Sequence, residues 1–151
     1  MNKENSINAL QKYATGLAAQ SLSHKVQSKI FAAQGYAKLG EKYTDHATEE
    51  MEWVDKFIDR IIALGVQPKV EAAPEVPVFT DPVEFLKFDL EISRREVPVL
   101  QQLTASLADD FATYDLLRGY ALDEEEDWGW SEQQLELIGK IGLQNWLAKQ
   151  M

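Results

Sequence analysis

The chain of 151 residues has no cysteine, which removes disulfides, thiolate metal sites and cysteine nucleophiles together. Its only histidines are His24 and His46, too few for a histidine-rich metal site. Both fall in helical segments without a nucleophile elbow, so a Ser-His-acid triad is not expected. No run of about 18 apolar residues occurs, and no membrane-spanning helix is expected. The eight glycines are dispersed and form neither a P-loop nor a dinucleotide-binding fingerprint. Basic residues are in deficit: 15 Lys and Arg against 25 Asp and Glu leave a net charge of −10. They are also scattered, so nucleic acid and anionic membrane are not expected partners. The first residues lack an apolar signal-peptide core, so the expected compartment is the cytoplasm. At this length one domain with a real core is expected over residues 1–151.

What the chain does have is helical periodicity. In the stretch 44–65, Ala47, Glu50, Val54, Phe57, Ile61 and Leu64 recur at steps of three and four, the spacing of one buried stripe on an amphipathic helix. Glu50 lies inside that stripe, and a carboxylate there is costly unless paired, hydrogen-bonded or metal-bound. A first helix, capped by Ser6 or Asn8, carries Leu10, Tyr13, Leu17, His24 and Phe31 inward and ends near Gly35 or Gly40. The second runs from about Tyr43 to Leu64, with Gly65 as its C-terminal stop. Four of the five prolines lie in 66–82, which cannot be helical throughout and is long enough to run the length of a bundle. Asp81-Pro82 starts a third helix reaching about Leu107, with Pro98 bending it or loosening a turn. A fourth follows Asp109-Asp110 and stops at Gly142, and LQNWLAKQM forms a short fifth. No alternating strand pattern or repeat occurs. The expected fold is an all-α four-helix bundle with a long connection between its second and third helices.

At similar depth in the four stripes stand Gln20 and His24, Glu50, Asp89 with Ser93 and Glu96, and Glu124 with Asp127. Converging carboxylates in a bundle core are how oxygen-rich di-iron sites are built. The acidic run 123–127 lies mid-helix and lacks calcium-loop spacing.

At this point the chain resembles the bacterioferritins of the ferritin-like superfamily over almost its full length. The resemblance is carried by Gly35 and Leu39, EEMEWVDKFIDRI at 49–61, FDL at 88–90, DEEEDWGW at 123–130 and LELIGKIGLQNWLAKQM at 135–151. It implies an iron-storage subunit of a shell of 24 chains built from dimers. It also implies haem b held between two subunits by Met51, with Leu22 and Lys25 at its wall. The ferroxidase ligands of the family fall on Leu17, Glu50, Trp53, Ser93, Glu124 and Asp127, so two of six are kept and an ordinary di-iron cycle is not expected. Asp127 is a substitute, and Glu50, Glu124, Asp127 and His24 either hold one residual metal ion or form a hydrogen-bonded, metal-free remnant. Asp45 and Glu49, one turn apart, fall where the family can bind iron on the inner cage surface; a solvated acidic face is the other meaning of such a pair. Three roles remain open: a haem-bearing storage subunit, homo-oligomeric or mixed with a ferroxidase-competent paralogue; a ferroxidase with a rearranged site; or a metal-free structural partner subunit.

Overall fold

A computed structural model describes residues 3–151 of the chain. Five helices follow one another: α1 Lys3–Ala33, α2 Ala37–Ala63, α3 Pro82–Ala105, α4 Phe111–Ile141 and α5 Leu143–Lys149. No strand occurs among the described residues. α1 packs on α2 and α3 on α4, with further contact between α2 and α4.

The stops are local chemistry. After α1, Gly35 takes φ +93°, so that Tyr36 N–H reaches Phe31 C=O at 2.9 Å and Gly35 N–H reaches Ala32 C=O at 3.0 Å. Gly65, at φ +83°, ends α2 with the same pair of bonds, Val66 to Ile61 and Gly65 to Ile62. Both are the glycine-terminated Schellman arrangement, which satisfies carbonyls the helix leaves unpaired. α3 starts as expected: the Asp81 side chain accepts from Val83 N–H at 2.9 Å, and Pro82 stands in the first turn.

Two boundaries differ from expectation. Ser6 and Asn8 lie inside α1, which already begins at Lys3, so neither caps it. α2 begins at Ala37, six residues before Tyr43. Gly40 does not end a helix but allows two to approach: a Cβ there would stand 2.8 Å from Ser28 C=O on α1. α3 stays helical through Pro98.

The connection 66–81 lies along α1, held by glutamine side chains. Gln11 brackets Lys69 with bonds of 2.9 and 3.1 Å, and Gln27 brackets Phe79 at 2.8 and 2.9 Å. Gln34 donates to Thr80 C=O at 2.7 Å. The contacts advance along α1 and the connection together, so the crossover runs parallel to α1. It therefore sets α3 parallel to α2, the geometry a long crossover permits.

The core is divided. One apolar cluster contains Leu10, Leu17, Val54, Phe57, Ile61, Leu100 and Leu117, and a second contains Phe31, Leu39, Tyr43, Phe85, Leu86 and Trp146. On α1, α2 and α4 the residues between the two clusters include His24, His46, Glu50, Glu124 and Asp127. A polar layer thus separates two hydrophobic ones. α5 closes the second cluster with a fully buried Trp146, whose indole donates to Gln134 Oε1 at 3.0 Å.

Candidate functional site

His24 is the centre of the polar layer. Its Nδ1 lies 2.6 Å from Glu50 Oε1 and its Nε2 lies 2.9 Å from Asp89 Oδ1. Gln20, one turn earlier on α1, donates to Glu50 Oε2 at 2.7 Å. Ser21 ties α1 to α2 by donating to Ala47 C=O at 2.7 Å. Three helices thus meet in a chain Gln20–Glu50–His24–Asp89. Burial opposes a charge on His24, but Asp89 and Glu50 outweigh it and hold the imidazole pKa well above 6.5. Both ring nitrogens thus face carboxylate oxygens, an arrangement that favours the protonated imidazole. Burial raises the Glu50 carboxyl above its ordinary value against the pull of His24.

The fourth helix does not join this chain. Glu124 Oε1 is buried without a hydrogen-bond partner. Burial, then the neighbouring Glu50 and Asp127, push its carboxyl well above the ordinary range, which favours the neutral form. Asp127 is raised to about 7 by burial and then by Asp123. Its Oδ1 lies 3.7 Å from His46 Nε2, too far for a hydrogen bond, and that nitrogen is unpartnered. Burial, followed by the charge of His24, lowers His46 to about 4, so it is neutral. His46 packs edge-on against Tyr43, Trp130 and His24.

Of the four residues expected to share a metal ion or a remnant, the structure joins Glu50 and His24 and leaves Glu124 and Asp127 outside their hydrogen bonds. Among the described residues no three His, Asp or Glu side chains form a group that could hold a metal ion. Leu17 is buried in the first apolar cluster. Trp53 packs on Tyr120 and Phe57 and donates to Asp123 Oδ2 at 3.0 Å. Ser93 lines a cavity between helices.

The chain matches the ferritin-like domain over residues 7–141. It is 32% identical over 148 residues to a bacterial ferritin of Neisseria meningitidis serogroup B, covering 96% of both chains. The same figures hold for a bacterial ferritin of Pseudomonas aeruginosa. The chain belongs to the ferritin family. It also matches a protein named bacterioferritin from Brucella melitensis, at 29% over 111 residues, 72% of this chain and 68% of that one.

Outside the polar layer, Met51 stands on the outer face of α2, 41% exposed. With Ala14, Ala18, Val54 and Ile58 it lines a groove of about 220 Å³ beside Pro68–Glu71. Leu22, one turn after Ala18, is 63% exposed, and Lys25 is exposed as well. Asp45 and Glu49 are exposed on another face of α2. Burial and the nearby Asp123 raise the Glu49 carboxyl above its ordinary value. No helix among the described residues is long and apolar enough to cross a membrane.

Asp89 and Asp123 were each within reach of a sequence reading, since both lie near the helical depth of Glu50. Their partners were not, because nothing in the periodicity of one helix says which neighbour a side chain meets. His46 and Tyr120, for which the sequence suggests no role, are the ring packing around the layer.

Proposed function

We propose that the chain is an iron-storage subunit that binds haem b and has exchanged the di-iron ferroxidase centre for a metal-free ion-paired core. The observation that carries this is His24. Both ring nitrogens are engaged by carboxylate oxygens, at 2.6 and 2.9 Å, so neither is turned to a metal, and Glu50 spends its oxygens on His24 and Gln20. Charges that a metal pair would otherwise offset are reduced by the raised basicity of His24 and by the burial that favours the neutral form of Glu124. Trp53 and Leu17 place apolar bodies where the resemblance puts ligands, and Asp127 shares no hydrogen bond with Glu50.

The haem reading rests on Met51. The half-exposed thioether of Met51, on a groove with Ala14 and Ala18 of α1, would supply a soft sulfur ligand to haem, with Leu22 exposed one turn after Ala18. Lys25 would pair with a propionate at the rim. Haem supplies one-electron chemistry when bound; the chain's part is to hold it at Met51 and exclude water with the apolar face. Iron is the cargo, and Asp45 with Glu49 would collect it on the inner surface of a shell of 24 chains built from dimers. Such a subunit would be cytoplasmic and would complement a ferroxidase-competent paralogue in a mixed shell.

The test is the visible spectrum of the haem-reconstituted particle beside Met51→Ala. A Soret band at one haem per two chains, absent in the variant, is expected; no band in either overturns the haem reading. Fe(II) oxidation by the pure chain is expected to match the background rate in buffer. Fast, stoichiometric oxidation lost in Glu50→Ala would overturn the metal-free core and support a rearranged ferroxidase. Purification from the native cell should yield a large particle with two subunit types, and a homogeneous shell would remove the paralogue.

A further inference from the structure

A cavity of about 270 Å³ lies between α1, α3 and α4, close to the lower size of small-molecule pockets, roughly 300 Å³. Its apolar wall is Leu17, Val97 and Leu100, and Tyr13 meets Tyr120 edge to face at 5.9 Å. Two buried polar atoms on the lining have no partner: Glu124 Oε1 and Tyr13 Oη. Glu124 is only 8% exposed, and a buried carboxyl oxygen left without a donor is rare enough to require an explanation. At the lining position Gly16 an added Cβ would meet nothing within 4 Å, so the space continues to the helix backbone.

The lining selects one chemistry. An unpartnered acceptor asks for a donor, which disfavours an anion, and the other lining carboxylate, Glu96, is already paired with Arg95 at 3.0 Å. The aliphatic wall asks for hydrocarbon next to that donor. Tyr120, one turn before Glu124, is also on the lining, and the face of such a ring attracts a cation. A metal ion would need several converging ligands, and among the described residues no three His, Asp or Glu side chains form such a group.

We propose that this cavity binds a small primary amine, which enters neutral, takes the Glu124 proton and donates back to the carboxylate as an ammonium, its hydrocarbon part lying against Leu17, Val97 and Leu100. The assignment rests on the metal-free reading of the core. Lys12, exposed at the lining, limits the guest to one positive charge at the inner end.

Titration calorimetry of the metal-free particle with n-pentylamine and with n-pentanol tests the assignment. One saturable amine site per chain is expected, with the alcohol about tenfold weaker or more for lack of a charge-assisted bond. Glu124→Gln should bring the amine down to the alcohol. Gly16→Leu, which fills empty space and favours the helix, should abolish both while helical circular dichroism is kept. Equal affinities for amine and alcohol, or amine binding unchanged in both variants, overturn the assignment. A parallel Zn²⁺ titration separates the two readings. Stoichiometric Zn²⁺ binding lost in Glu50→Gln, with amine binding intact, would overturn the metal-free core and leave the amine site standing. Binding of neither would overturn the amine site alone.

Discussion

His24 Nδ1 stands 2.6 Å from Glu50 Oε1, a buried contact between helices whose members lie 26 residues apart. With Asp89 on the opposite ring nitrogen, it favours the protonated form of an ordinary histidine. At pH 7.5 the nitrogen and ring-proton spectra should show His24 doubly protonated and His46 neutral. A His24 ring titrating near 6.5 would contradict the arrangement. His24→Ala should lower stability by about 3–5 kcal/mol, because Glu50 is then buried without its counter-charge. The sign with pH follows: His24 binds its proton more tightly folded than unfolded. Its contribution is complete below pH 6.5 and is lost as pH rises through the folded-state pKa.

Asp127 and His46 should pull stability in opposite directions over the same interval. Asp127 is raised from 3.8 to about 7, so its contribution is present below pH 3.8 and disappears as pH rises towards 7. Asp127→Asn should therefore match the parent near pH 4 and exceed it at pH 8 by on the order of 1–3 kcal/mol, after allowance for partial exposure. His46 is lowered from 6.5 to about 4. Its contribution is present above pH 6.5 and lost as pH falls through 4. Urea unfolding at pH 4, 6 and 8 measures both, and a pH profile unchanged by Asp127→Asn would refute the first.

Asp110 joins the ends of two helices. It is buried, its Oδ1 accepts from Arg60 Nη2 at 2.8 Å, and Arg60 Nε also donates to Thr113 at 3.0 Å. Burial would raise its carboxyl, but the polar contacts of Thr113 and the Arg60 guanidinium outweigh this and hold it below 3.8. Asp110→Ala should cost about 2–3 kcal/mol through the lost charged bonds. Differential scanning calorimetry reads the loss, and an unchanged melting temperature would show that the bonds are replaced by water.

Gly40→Ala tests the close approach of α1 and α2. The new methyl would lie 2.8 Å from Ser28 C=O and 3.2 Å from Ala32 Cβ, so backbone must move. A loss of about 1–3 kcal/mol is expected although alanine is the better helix former. A gain in stability would show that the helices separate freely there.

The helices, their stops at Gly35 and Gly65, the Asp81-Pro82 start, the crossover and the placing of Glu50 in a buried stripe were all legible along the chain. Each depends on neighbours within a turn or two, or on a period that one segment displays unaided. The early start of α2 was not, because Gly40 reads as a helix breaker until α1 is seen against it. Nor could the order of residues say that Asp89, 65 positions away, would take the second nitrogen of His24, or that Trp53 would find Asp123 rather than a metal. Helical periodicity states depth and face. The rotation of one helix against another, and the rotamers that follow, set which carboxylate meets which imidazole. That choice separates an ion-paired core from a metal site built of similar residues.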